Sequence, residues 1–379
     1  MPALMPPTVA DTPALAALRA DVRRFLAEQI AAGRFTPAVD TWLTGWNTEF
    51  SQALAAQGWL GMTIPIEYGG LGRSFVERFV VTEELLVAGA PVAAHWIADR
   101  QAAPSLLRFG SELQKQRFLP AIARGECFWA LGMSEPDSGS DLASVRTRAE
   151  RVEGGWRLTG TKVWTSGAHL AHAMSVLART SPADPTNRHA GLSQLIVELP
   201  SPGVEIRPIL GMNGGHHFNE VTFDGAFVPD ERVLGDVGAG WHQVTAELGY
   251  ERSGPERVLS TYVLLAELVD ATRDGQVRRH ADLGRYVARV ASLHHLSSAV
   301  AAALERHAPV ETAAAVVKVL GTTTEGDIAD LADRLIAAGS PPELRDLASQ
   351  AVVQRPGFTL RGGTNEVLRG VIAREMGLR

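Results

Sequence analysis

The 379-residue sequence has one cysteine, few aromatic residues and no long apolar run. The single cysteine, Cys127, excludes an internal disulfide framework and is expected of a reducing cytoplasm. It sits between an RGE turn and an apolar FWALGM run, which suits a structural, partly buried thiol. No apolar stretch reaches the length needed to span a bilayer, so no membrane partner is expected. The first dozen residues are proline-rich and lack a basic start followed by an apolar core, so they are not read as a secretory signal. Neither sign of charge forms a long block: 36 Lys plus Arg against 42 Asp plus Glu give a net charge of −6, no footprint for nucleic acid. The pairs His216-His217 and His294-His295 have no partner at ligand spacing, so no metal is expected.

What is present divides by periodicity. A chain of this length is expected to form two or three cores. Leu15, Leu18, Val22, Phe25, Leu26 and Ile30 predict a helix over about 12–33. Trp42, Trp46, Phe50 and Leu54 predict a second over about 41–57, closed by Gly58. After the Gly- and Pro-rich loop GWLGMTIPIEYGGLG, further helices are expected over about 75–88, 91–109 and 112–124. From Phe128 the period is two, in FWALGM, VRTRAERV, WRLTGTKVW, MSVLAR, LSQLIVEL, VEIRPI and NEVTFDGAFV. After Trp241 the helical period returns over about 241–274, 278–307, 311–338, 342–354 and 364–376. Gly254-Pro255 falls inside the first of these, where proline either kinks the helix or starts a new one. The expected class is α+β: an N-terminal helical domain over 1–127, a small antiparallel β-barrel or sandwich over 128–240, and a C-terminal helical bundle over 241–379.

Chemistry concentrates between Leu131 and Ala168. Two polar motifs, MSEPDSGSD (Met133 to Asp141) and GTKVWTSGA (Gly160 to Ala168), flank a predicted hairpin turning at Gly154-Gly155. The first motif offers Ser134, Ser138, Gly139, Ser140 and Asp141 as backbone and hydroxyl donors. The second adds the Trp164 indole and the Ser166 hydroxyl. Turn chemistry explains each residue singly. Together they suit an isoalloxazine ring, which needs donors at its N1–O2 edge, an aromatic wall and a hydroxyl near N5.

In these motifs the sequence resembles the acyl-CoA dehydrogenase family of flavoproteins. Its signature loop, M-[ST]-E-P-x-x-G-S-D, is matched at Met133, Ser134, Glu135, Pro136, Gly139, Ser140 and Asp141. The likeness continues in GTKVWTSGAHLA, in LGMNGGHHFNEVTFDGAFVP and in GGTNEVLRGVIAR. The resemblance implies an α-β-α architecture and FAD-dependent dehydrogenation of an acyl thioester. It assigns FAD contacts to Leu131, Met133, Ser134, Gly139, Ser140, Trp164, Thr165 and Ser166, with Thr364 and Glu366 from a bundle. In many members the base immediately precedes the Gly-Thr of the C-terminal motif, where this sequence has Gly362. A minority carry it on the first long helix of the bundle, ahead of an arginine. Glu251 and Arg252 in LGYERSGPER match that pattern, so the resemblance assigns Glu251 as the base, with Ser140, Tyr250 and Arg252 toward the substrate. The ordinary reading of such a glutamate is a solvated carboxylate paired with an arginine. Glu366 is the second candidate base.

The family's adenine-binding stretches, Arg-x-Phe-Gly and Gln…Gly-Gly-x-Gly, are not recognisable; RRHADLGRY and SQAVVQRPGFTL stand in those regions. The resemblance implies an acyl-CoA or carrier-bound acyl substrate and an electron-transferring flavoprotein as acceptor. It also implies a homodimer or homotetramer, or a mixed oligomer whose homologous subunit completes the adenine site. A flavin oxidase or hydroxylase, an acyl-carrier-protein dehydrogenase, and a non-catalytic subunit of a mixed oligomer are the alternatives on the same fold.

Overall fold

The computed structural model describes residues 5–8, 10–252 and 254–378; the side chains of 248–251 lie outside that description. Helix α1 (Pro13–Ala31) begins where the Thr12 hydroxyl accepts the Leu15 N–H at 3.2 Å. The single helix expected over 41–57 is two, α2 (Thr41–Thr44) and α3 (Thr48–Ala56). Asn47 accounts for the break, because its side chain accepts the Phe50 N–H at 2.9 Å and starts a new helix. Helix α4 (Phe75–Val87) opens with a reciprocal Ser74–Glu77 capping box. The expected helix over 91–109 is α5 (Ala93–Ile97), a π-turn (Ala98–Ala102) and α6 (Ala103–Phe109), followed by α7 (Glu112–Ala123).

All seven alternating runs form strands: β1 (Trp129–Gly132), β2 (Arg148–Val152), β3 (Gly155–Ser166), β4 (Ala173–Arg179), β5 (Leu192–Glu198), β6 (Val204–Leu210) and β7 (His216–Pro229). They make one sheet in the order β1-β4-β2-β3-β7-β6, with β5 on β4. The sheet is mixed rather than purely antiparallel. β4 runs parallel to β1 and β2, because the β2–β3 hairpin intervenes and the chain must return before laying β4 down. Within β4, Ala173 packs with Trp129, Phe118, Leu119 and Ile122, whereas Met174, Val176 and Ala178 pack with Leu158, Leu195 and Phe223. Burial on both sides of the strand is why MSVLAR reads as almost continuously apolar. Cys127 is buried, and burial pushes its thiol up to about 11, which makes it an inert packing residue.

Helix α8 (Gly240–Arg252) does not continue to 274. Pro255 opens a short 3₁₀ turn (Pro255–Arg257), and α9 (Tyr262–Arg273) starts anew, since proline lacks the N–H that would extend the helix. Helices α10 (Ala281–Glu305), α11 (Glu311–Leu335), α12 (Pro342–Phe358) and α13 (Asn365–Glu375) follow. The chain forms two compact units: Met1–Trp46, Arg73–Ala93 and Gly249–Arg379 in one, Asn47–Gly72 and Ala94–Leu248 in the other.

The first unit buries an ionic cluster. Arg361 grips the Asp40 carboxylate at 2.8 and 3.0 Å, and both Arg257 and Arg361 lie over the Trp42 ring at 4.7 Å. Nearby in α11, Glu325 accepts the Ser260 N–H at 2.7 Å, while its other oxygen has no hydrogen-bond partner among the described residues. Burial drives this carboxyl up to about 7. Between about pH 4.5 and 7 the folded state then holds a proton that the unfolded chain has released, so stability is expected to fall as pH rises through that window. Glu325→Gln should flatten this slope and be more stable than the parent at pH 8, as read by urea unfolding at a series of pH values. Parallel slopes for the two proteins would refute it.

Candidate active site

The loop Met133–Asp141 follows β1 and is strapped to β3. Ser134 O accepts the Val163 N–H at 2.9 Å, and Met133 O accepts the Lys162 ammonium at 3.0 Å. Lys162 is fully buried and also donates to Glu135 at 2.8 Å. The same carboxylate accepts the N–H groups of Arg146 (2.6 Å) and Thr147 (2.9 Å), so Glu135 joins three chain segments. Burial works to raise the Glu135 carboxyl, but the Lys162 charge and these donors outweigh it and hold it below the usual range. Burial lowers Lys162 to about 8, with Glu135 opposing. Beyond this anchor the loop turns at Glu135–Ser138, leaving Gly139, Ser140 and Asp141 exposed. Ser138 is buried and its hydroxyl donates to Asp141 O at 2.8 Å, so it is not an outward donor as expected.

The second motif lies on a β-bulge. Lys162 pairs with Val221 and Thr165 with Asn219, so Val163 and Trp164 together oppose Glu220. Trp164 takes φ 59°, a left-handed conformation unusual for a tryptophan, and the residue is 59% exposed. It meets Phe218 edge-on at 5.7 Å. Ser166 follows, half-buried, with Oγ 3.1 Å from His217 Nε2. Thr165 turns inward: it is wholly buried, and its hydroxyl has no hydrogen-bond partner among the described residues. Leu131, in β1, packs against the helical core beneath the sheet, and Met133 packs near Val145, Leu177, Leu192 and Val244.

In the other unit, Glu251 and Tyr250 fall in the last turn of α8, and their side chains lie outside the described residues. Arg252 is described: its Nε donates to Gly362 O at 2.8 Å. Gly362 and Gly363 have φ 67° and 86°, and a Cβ on Gly363 would come within 3.0 Å of the Arg252 guanidinium. Arg252 therefore lies on the turn where the resemblance places the base of many relatives. Thr364 caps α13 by accepting the Val367 N–H at 3.3 Å, and Glu366 is exposed in its first turn. Between them Asn365 is buried, accepting from Lys318 at 2.9 Å.

Three family models match in succession: the acyl-CoA dehydrogenase N-terminal domain over residues 12–126, the middle domain over 130–226 and the C-terminal domain over 238–377. The chain belongs to the acyl-CoA dehydrogenase family. It is 35% identical over 379 residues to acyl-CoA dehydrogenase IpdE1 of Mycobacterium tuberculosis, covering 95% of this chain and 97% of the relative. Its fold superposes on the Tcur3481-Tcur3483 steroid ACAD with a TM-score of 0.84 at 30% identity, over 97% of this chain and 98% of that one. A chain of the ChsE4-ChsE5 complex from Mycobacterium tuberculosis matches with a TM-score of 0.81 at 27% identity, over 98% and 99%. The chain is therefore an enzyme of a family of flavoproteins, and no helix among the described residues is long and apolar enough to cross a membrane.

The residues of this acyl-CoA dehydrogenase fit a flavin. An exposed indole held on a bulge, a half-buried hydroxyl two residues on, and an exposed Gly139–Ser140 segment on the loop strapped to the same strand are an aromatic face and polar donors of the kind a flavin uses. Sequence reasoning missed Glu135 and Lys162 as the parts that hold this arrangement. The available signal was Lys162 itself, a charged residue at an inward position of a strand that otherwise alternates.

Proposed function

We propose that this enzyme catalyses FAD-dependent α,β-dehydrogenation of an acyl thioester, most simply an acyl-CoA, in the cytoplasm, with an electron-transferring flavoprotein as acceptor. The observation that carries the reading is the bulge at Trp164, which spends backbone strain to present an indole to solvent beside Ser166. Leu131 to Ser140 and Trp164 to Ser166 would hold FAD, with Thr364 to Glu366 contributed from a neighbouring bundle, as the resemblance implies. When bound, FAD supplies the acceptor for the hydride that leaves the β carbon. Glu251 takes the α proton, its carboxylate matched to a C–H acidified by donors on the thioester carbonyl. Arg252, fixed on Gly362 O, anchors the end of the helix that bears the base. Its guanidinium beside the Gly362–Gly363 turn supports a base on α8 rather than on that turn.

Similarity to a steroid ACAD supports a sterol-derived acyl group as one substrate class. Likeness to a chain of the ChsE4-ChsE5 complex supports a homologous partner subunit that supplies the missing adenine contacts, with a homodimer or homotetramer as the alternative. The test is the visible spectrum of the anaerobic protein before and after a panel of saturated thioesters, straight-chain, branched and sterol-derived. Flavin bands that bleach with one class support the reaction and name the substrate. Bands that stay oxidised with every thioester overturn the thioester reading in favour of carrier-bound substrates or oxygen-using flavin chemistry. A protein that binds no flavin marks a non-catalytic subunit.

A further inference from the structure

The segment His216–Asn219 of β7 has a partner for each member of Trp164–Gly167. Phe218 meets Trp164 edge-on at 5.7 Å, and Asn219 Nδ2 donates to Thr165 O at 2.9 Å. His217 Nε2 lies 3.1 Å from Ser166 Oγ, and His217 O accepts the Gly167 N–H at 3.0 Å. The supporting strand is itself held. Asn219 is fully buried, its Oδ1 lies 2.7 Å from His216 Nε2, and the His216 ring stacks on His169 at 3.8 Å. The two histidines that show no ligand spacing in the sequence are parts of a brace for the bulge.

We infer that His217 is a positioning residue that fixes the Ser166 hydroxyl as an outward donor to the flavin, an inference that rests on the flavin reading above. A serine hydroxyl has one proton and rotates freely unless a partner settles it. With a proton on Nε2, His217 donates to Ser166 Oγ, and the serine proton is left to point outward toward an acceptor such as flavin N5. With Nε2 as acceptor the serine proton would be consumed inward, so the imidazole tautomer decides what Ser166 offers. The backbone bond from Gly167 to His217 O keeps the two residues in register. Acting through Ser166, His217 favours the flavin form that accepts the stronger hydrogen bond.

The experiment uses the full-length protein loaded with FAD and compares the parent with His217→Phe, His217→Gln, Ser166→Ala and the double variant H217F/S166A. The readouts are the visible band positions and the midpoint potential from dithionite titration, neither of which needs an acyl substrate. H217F and S166A are expected to shift the oxidised-to-reduced balance in the same direction by about tenfold, about 30 mV for a two-electron couple. The double variant should match S166A alone, and H217Q, which keeps a side-chain N–H donor, should recover most of the parent's potential. Flavin bound with an unchanged potential in H217F, or shifts that add in the double variant, would overturn the inference while leaving the flavin reading intact. A parent protein that binds no FAD overturns both.

Discussion

Lys162→Met is expected to lower stability by about 3–5 kcal/mol and to loosen the Met133–Asp141 loop, because it leaves the Glu135 carboxylate buried without its counter-charge. Methionine is close to lysine in length and apolar, so the loss comes from the stranded charge and the freed Met133 O rather than from a cavity. Unfolding in urea gives the stability, and proteolysis at the loop gives the loosening. The double variant E135Q/K162M should recover part of the loss, since glutamine still accepts one backbone N–H and carries no charge. The pair also fixes the acid side of the profile. Glu135 has a folded-state pKa below its unfolded value, so its contribution is present above about pH 4.5 and is lost as pH falls through the folded value. K162M should be less sensitive to acid across that range than the parent. A loss under about 1 kcal/mol would mean that water reaches this pair and that the loop is held by its backbone bonds alone.

Glu251→Gln is expected to slow flavin reduction by thioester at least about 100-fold while leaving fold and flavin content unchanged, since it removes the proposed general base and little volume. Anaerobic stopped-flow at saturating thioester separates this from weaker binding. Glu366→Gln is the control: exposed in the first turn of α13, it should alter flavin retention more than the reduction step. The reverse pattern, with Glu251→Gln unaffected and Glu366→Gln slow, would move the base to the C-terminal motif. Arg252 argues against that pattern, because its guanidinium already lies beside the Gly362–Gly363 turn.

Much of this protein is legible in its residues. Seven short runs bounded by turn residues specified seven strands, most by the alternation of side chains between the two sides of the sheet and β4 by a short apolar run buried on both. Amphipathic spacing specified the helices, and Pro255 their interruption, since these are properties of the local backbone. The family's polar-loop motifs were legible for the same reason: small and hydroxyl residues in a fixed order record the local turn they make. The parallel course of β4 was not legible, because it depends on strands elsewhere in the chain, whereas the break at Asn47 is a local cap on Phe50 that the helical spacing on either side obscured.

Sequence alone determined the element types, their order and the identity of the polar loops, all of which follow from interactions within a few residues. Tertiary structure alone decided that Glu135 is a buried anchor and not an exposed loop carboxylate. It also decided that Trp164 leaves the strand on a bulge while Thr165 turns inward, and that His217 meets Ser166. Those outcomes turn on register, which pairs residues about 50 positions apart in β3 and β7, and on burial, which gives one charge pair a strength it would lack in water.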